Sequence, residues 1–457
     1  MAARSKVLII GLDGASPALV ERWRGSLPNL GRLIDGGVSG TLRSVNPPRS
    51  IPAWYCFATG MNPAKIGVFG FSQRIPGTYD YTFANLSFCR MPPFWIWLNL
   101  HGVKTAVVHV PGTYPPQPVD GMMVSGWPAP VNRGNLAYTH PPELGRTIDR
   151  HLGRPFEFLS PAPMLPDNDR QMLEERLRII NVHGETARTA LKRGDWQAGV
   201  VVFSPLDRAS HQFWRHIDPS HPAHEPAQAE QFEGALRQVY QACDGWVGRL
   251  LELLTPDDTV FIVSDHGFGP ARRIFYLNEW LQQEGYLVLE KSEARGGSVV
   301  GRLATPLFAL NETSPIFRRL TGPLKKRALS NFLRDEYVHH RHGSLVRLNH
   351  LPVDWGRTRA YCPDEGALYL NLNGRDPQGS VEPGAEAEAL IREIVHRLGT
   401  LTDPLTGQPI DLQVHHKGHV YSGPYLDDAP ELLITVDGYA TEVMAEMGGG
   451  SLFASSP

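Results

Sequence analysis

At 457 residues the chain exceeds what one simple hydrophobic core usually carries, so two domains, or one large α/β domain with insertions, are expected. A hydrophobic share of 42% and a charged share of 20% are ordinary for a globular protein, and a formal net charge of −3 argues against general nucleic-acid binding. Cys56, Cys89, Cys243 and Cys362 are scattered without Cys-Xaa-Xaa-Cys spacing, which suggests neither a disulfide framework nor a thiolate zinc site.

The chain enters a β run almost at once, at Lys6–Ile10. No signal-peptide pattern precedes it and no apolar run approaches a membrane span, so a cytoplasmic setting is the expectation. This first strand ends in Gly11-Leu12-Asp13-Gly14. A dinucleotide fold also begins with a strand and a glycine turn, but Asp13 stands where a second glycine should let the backbone approach a pyrophosphate. A carboxylate there repels phosphate directly and suits a phosphate whose charge is bridged by metal. Leu27–Ile34 reads as the start of a returning helix. Then come Pro47-Pro48-Arg49-Ser50-Ile51-Pro52-Ala53-Trp54 and Ala58-Thr59-Gly60. Pro52 fixes φ and suits the first turn of a helix, leaving Ser50 near the N-cap. Two readings of Ser50 stand side by side: a capping serine, or a nucleophile at a helix end whose dipole faces a phosphate oxygen.

Further on, Lys104–Val110 is a buried β run in which His109 reads as a packed core histidine, and Pro166–Gly194 is an amphipathic helix. Gly199–Phe203 is another central strand, followed by Ser204-Pro205-Leu206-Asp207. His211 follows Asp207 by four residues, so on a helix both face one way. His211, His216, His221 and His224 form a His-rich stretch, most of it read as solvated surface. Gln228–Leu254 is a further helix. The short apolar run Thr259–Val263 reads as a fully buried central strand, and it leads into Asp265-His266-Gly267. In open α/β sheets chemistry sits beyond the carboxyl ends of the strands, and carboxylate with imidazole there makes a metal site. Asp13, Asp207 and Asp265 all reach that edge. Three buried carboxylates in one crevice repel strongly unless cations sit between them, which points to a dinuclear metal site.

From Pro270 to Ser344 basic residues outnumber acids and Gly/Ser stretches interrupt short helical runs, which reads as an inserted helical cap. Tyr361–Leu372 returns to strand pattern and Glu386–Leu398 to helix. The expected fold is α/β, with a mainly parallel central sheet and helices on both faces. Residues 1–269 and 345–457 form the core, and 270–344 form the inserted cap.

Gly-Leu-Asp-Gly after a first strand, Ser-Ile-Pro-Ala-Trp with Ala-Thr-Gly, and Ser-Asp-His-Gly together resemble the type I phosphodiesterase/nucleotide pyrophosphatase branch of the alkaline phosphatase superfamily. More narrowly the chain is similar to its cytoplasmic phosphohydrolase/phosphomutase group. Val110–Pro116, Leu206-Asp207-Arg208 with His211, Val353-Asp354-Trp355, Asn371–Arg375 and Tyr421–Tyr425 extend the likeness over nearly the whole chain.

The resemblance implies an alkaline-phosphatase-like core and two divalent metal ions, zinc first, with manganese or iron possible. One ion would be held by Asp13, Asp265 and His266 with the Ser50 oxygen. The other would be held by Asp207, His211 and one further histidine. It implies phosphate-ester cleavage through Ser50 and a phosphoseryl intermediate, on a small phosphate ester or nucleotide-like substrate, with no membrane span and no nucleic-acid partner. One departure stands out. The family's last histidine follows the Tyr-Ser-Gly-Pro segment in a His-Arg-Xaa-Asp-Gly-like turn, whereas no histidine follows His419 here. Either the chain is truncated before that turn or a different residue completes the second metal position, with His415, His416 and His419 the available substitutes. A second departure is Ile66, where relatives commonly carry histidine. Sulfatase chemistry is disfavoured because Trp54 stands where that family needs arginine. The remaining alternatives are phosphomutase-type phosphoryl transfer and a catalytically impaired phosphate- or nucleotide-binding protein.

Overall fold

The computed structural model describes residues 5–129, 137–158, 168–193, 195–290, 351–404 and 406–456. The first half of the chain alternates strands Val7–Leu12 (β1), Ser72–Arg74 (β2), Tyr81–Phe83 (β3), Thr105–Val108 (β4), Gly121–Val124 (β5) and Thr139–His140 (β6) with helices Pro17–Arg22 (α1), Pro28–Gly36 (α2), Ser50–Thr59 (α3), Pro63–Ile66 (α4), Phe94–Leu100 (α5) and Pro142–Leu152 (α6). It continues through Asp169–Leu191 (α7), Ala198–Phe203 (β7), Pro205–Ile217 (α8), Pro226–Phe232 (α9), Ala235–Leu251 (α10) and Thr259–Val263 (β8). Six strands form one sheet in the order β6-β5-β4-β7-β1-β8, with every pairing parallel except β5 with β6. Parallel neighbours need crossover connections, and the crossovers bring helices onto both faces.

The period of two along each strand sorts the core into two layers. On β7, Val201 and Phe203 join the cluster under α7, α8 and α10, with Leu8, Ile10, Phe213 and Trp246. Val200 and Val202 face the opposite way, onto Ile51, Trp54 and Trp95 of α3 and α5. Ile66, one of the departures noted in the sequence, is fully buried in this second layer.

Three expectations are corrected. β8 is the edge strand of the sheet, not a central one, with Phe261 51% exposed. A short apolar run does not distinguish the two, because it says nothing about a neighbour on the far side. The helix expected over Gln228–Leu254 is two helices, α9 and α10, broken at Glu233-Gly234. Of the His-rich stretch, His216 and His221 are buried; His216 Nε2 lies 2.8 Å from the Asp169 carboxylate.

The second half of the chain builds a separate sheet with its own core. Arg273–Tyr276 (β9), Ala360–Asp364 (β10), Ala367–Leu370 (β11), Leu412–His416 (β12), Leu432–Val436 (β13), Thr441–Met444 (β14) and Phe453–Ser455 (β15) pair in the order β10-β11-β13-β14-β9-β15, with β12 also on β13. Only β14 and β9 run parallel. Helices Leu277–Gln283 (α11) and Ala385–Leu398 (α12) cover it through Trp280, Leu281, Leu390 and Ile394. β9 and α11 fall at the start of the segment read from sequence as a cap, and they belong to this sheet. Residues 291–344 of that segment, with its basic residues, lie outside the described residues. The second sheet leans on the loops around α3. Tyr421 Oη donates to the Asn46 carbonyl, Asn62 Nδ2 donates to the Ser422 carbonyl at 2.8 Å, and Glu365 pairs with Arg49.

Candidate active site

β7, β1 and β8 are adjacent, and each sends a carboxylate beyond its carboxyl end. Asp13 follows β1 directly, Asp265 lies two residues past β8, and Asp207 sits in the first turn of α8 after β7. Both glycines of the first turn are there to let neighbours in. A Cβ on Gly11 would stand 2.4 Å from the Trp54 ring, and one on Gly14 would stand 2.9 Å from Asp207 Oδ1. Gly14 also has φ +67°, a conformation that favours glycine, and its N–H donates to Asp265 Oδ1 at 3.2 Å.

Ser50 is not the helix cap. Arg49 holds the N-cap position of α3 in extended backbone, without a side-chain cap bond, and Ser50 is the first helical residue. The Ser50 hydroxyl points into the crevice instead: Oγ donates to Asp13 Oδ1 at 3.4 Å and lies 3.1 Å from His266 Nε2. One helical turn on, Trp54 Nε1 donates to Asp13 Oδ2 at 3.0 Å. In the sequence Trp54 closes the Ser-Ile-Pro-Ala-Trp motif and excludes a sulfatase, but carries no site role. Its spacing of four from Ser50 was the available signal that both face one site.

His266 Nδ1 lies 2.8 Å from the Gly267 carbonyl, an arrangement in which Nδ1 carries the proton and Nε2 presents its lone pair. Nε2 then faces Asp265 Oδ2 at 3.3 Å and Asp13 Oδ1 at 3.7 Å. Apart from the Ser50 hydroxyl, the Trp54 Nε1–H and the Gly14 N–H, the groups converging here are acceptors. Asp265 Oδ2 is buried with no hydrogen-bond partner among the described residues. Burial, with Asp265 and Asp207 nearby, holds the Asp13 carboxyl well above the usual carboxylate range, and burial raises Asp265 too. Burial pulls His266 down, but the Asp265 and Asp207 carboxylates outweigh it and the net shift is upward.

Such a nest of acceptors fits a divalent cation, which would replace the missing donors and cancel the carboxylate repulsion. Asp13, Asp207 and His266 each offer a ligand atom within 4.8 Å of the others, and no other group of three or more candidate ligands occurs among the described residues. His211 stands on the outer side, with Nε2 3.6 Å from Asp207 Oδ1 and its side chain 53% exposed; the Phe268 ring rests against it, edge to face. His415 and His416 lie on β12 in the second sheet and His419 in the turn after it; none joins the crevice group. His416 instead accepts from the Gly418 N–H at 3.2 Å.

The fold is an α/β one with a mainly parallel sheet, and the family match makes the chain a hydrolase acting on phosphoric ester bonds. The model of the type I phosphodiesterase/nucleotide pyrophosphatase family matches residues 7–440, and the chain belongs to that family. Dependence on divalent metal ions goes with it. Among solved structures, the chain is similar to phosphonoacetate hydrolase from Sinorhizobium meliloti in complex with phosphonoformate, at 15% identity and TM-score 0.52. The same enzyme with phosphonoacetate matches at 14% identity and TM-score 0.53; each match covers 97% of this chain and 83% of the other. At that identity the likeness is one of fold. No curated protein sequence matches the chain. No helix among the described residues is long and apolar enough to cross a membrane.

Proposed function

We propose that the protein cleaves small phosphate esters with Ser50 as nucleophile and Asp13, Asp207, His211, Asp265 and His266 as the ligands of two divalent ions, zinc first. One observation carries the reading: the Ser50 hydroxyl, free of any capping role, is turned onto Asp13 and His266 at the carboxyl edge of the sheet. Bound there, divalent ions would lower the pKa of a hydroxyl and offset the charge of phosphoryl oxygens.

The chain's own residues then have distinct tasks. Ser50, fixed at the start of α3, attacks phosphorus in line with the departing ester oxygen; the phosphoryl group passes to Ser50 Oγ as the bond to that oxygen breaks, and the serine proton ends on the departing alcohol. Water cleaves that ester and returns the proton to Oγ. The positive end of the α3 dipole lies at Ser50, which favours the negative charge of the transferred group. Trp54 and Gly14 hold the Asp13 and Asp265 carboxylates in fixed rotamers, so the nucleophile meets a preorganised wall. The substrate class is a small phosphate ester or nucleotide-like molecule.

Ser50→Ala tests this with aryl phosphate mono- and diesters and added zinc or manganese. Turnover should fall at least about 10³-fold while the thermal midpoint stays within a few degrees, and acid quench of the wild type should trap the phosphoryl adduct on the Ser50 peptide. Wild-type turnover in Ser50→Ala would mean that water attacks directly.

A further inference from the structure

The residue before the nucleophile is an arginine with an unusual partner. Arg49 occupies the N-cap of α3 in extended backbone (φ −112°, ψ 140°), so its side chain starts one Cα from Ser50. Its guanidinium pairs with the Glu365 carboxylate, and Nη2 also reaches the Glu365 carbonyl at 3.5 Å. Glu365 comes from the tight turn between β10 and β11, in the other sheet. The pair is only partly covered, with side chains 29% and 24% exposed, and it lies beside the crevice because Arg49 is the residue directly before Ser50. A guanidinium has five N–H donors in a planar fork, and Glu365 does not exhaust them. An arginine is the side chain best shaped for oxygens on phosphorus.

We infer that Arg49 is a phosphoryl-oxygen ligand of the Ser50 reaction and that Glu365 is its positioning residue, carried to the site by the second sheet. This rests on the reading of Ser50 as nucleophile. Without substrate the fork is held by Glu365; with substrate its remaining donors take a non-bridging oxygen. Because Glu365 cancels the arginine charge, the wild-type pair adds directed hydrogen bonds with little net positive charge. Removing the Glu365 charge frees Arg49 to attract anions more strongly, whereas removing Arg49 leaves an uncompensated carboxylate beside the site. A mere tether between the two sheets would make the two substitutions equivalent. The inference makes them opposite.

The test is binding of inorganic phosphate to zinc-loaded protein, measured by calorimetry at fixed ionic strength for wild type, Arg49→Met, Arg49→Lys and Glu365→Gln. Zinc affinity and thermal midpoint are read on the same samples. Arg49→Met should weaken phosphate binding at least about tenfold with zinc affinity unchanged, and Arg49→Lys should fall in between. Glu365→Gln should bind phosphate at least as tightly as wild type. Equal weakening by Arg49→Met and Glu365→Gln, wild-type binding by Arg49→Met, or no binding by the wild type would overturn it. If Arg49→Met does not fold, the contrast between Arg49→Lys and Glu365→Gln decides. Ser50→Ala turnover separates this from the underlying reading: an active Ser50→Ala protein would refute the nucleophile and leave the phosphate contrast to be judged alone.

Discussion

The two halves of the crevice are built differently. Asp13, Asp265 and His266 stand at the ends of adjacent parallel strands, buried or nearly so, and each has a fixed neighbour. Trp54 serves Asp13, the Gly14 N–H serves Asp265, and the Gly267 carbonyl serves His266. Asp207 and His211 share one turn of α8 on the open side, and among the described residues His211 has no hydrogen bond to orient its far nitrogen. The lesson is about retention. Strand ends locked on both sides give a site that holds a cation rigidly. Two proposed ligands on one helical turn, with His211 half exposed, leave solvent to complete the shell and let the cation exchange.

Substitutions on either side should break the symmetry of the proposed dinuclear site in different ways. The largest effect is expected from Asp13→Asn, which removes the carboxylate shared by Ser50 and the proposed buried ligand set. Turnover should fall at least about 10³-fold and the firmly held ion should be lost. The metal-free variant should nevertheless unfold at a higher temperature than metal-free wild type, since one of three repelling carboxylates is gone. Metal analysis and calorimetric melting check both.

His211→Ala touches the open half. Turnover should drop on the order of 10²-fold, with the firmly bound ion unchanged in stoichiometry. Trp54→Phe keeps the packing and deletes one donor to Asp13; metal affinity at the buried half should fall roughly tenfold. The smallest effect, on stability alone, comes from His183, which packs against His109 just beyond β4 with ring centroids 4.3 Å apart. Burial lowers His183 to about 4 from an ordinary 6.5. The unfolded chain therefore takes up that proton first as pH falls. The histidine's neutral state supports the fold fully above about 6.5, and support is lost progressively toward pH 4, by an amount on the order of 3 kcal/mol. His183→Gln should flatten that part of the urea-stability profile between pH 7 and 4.5; an unchanged slope would assign it to other groups.

Much of this was legible in the residues. The three aspartates announced a shared edge because each follows an apolar β run, and strands β4 and β7 and helix α7 fall within a few residues of expectation. The position of β8 was not legible, because Thr259–Val263 is apolar enough for a buried strand yet ends at the margin of the sheet. Ser50 remained ambiguous for a physical reason as well. A capping serine and a nucleophilic one occupy nearly the same place at a helix start, and only the direction of the hydroxyl separates them. The second sheet was hidden because its members come from distant stretches, β9 pairing with β14 across 273–276 and 441–444. The role of Arg49 depends on Glu365, more than three hundred residues away, and no local pattern could report it.

The most direct test of the unequal crevice is a count of ions that survive dialysis. Purified protein is loaded with excess zinc, dialysed against metal-free buffer and analysed for metal per chain, then titrated with zinc while turnover is followed. About one retained ion per chain is predicted, with activity rising well beyond one added equivalent and falling quickly under mild chelation. Two ions retained per chain, with full activity before any zinc is added back, would contradict it.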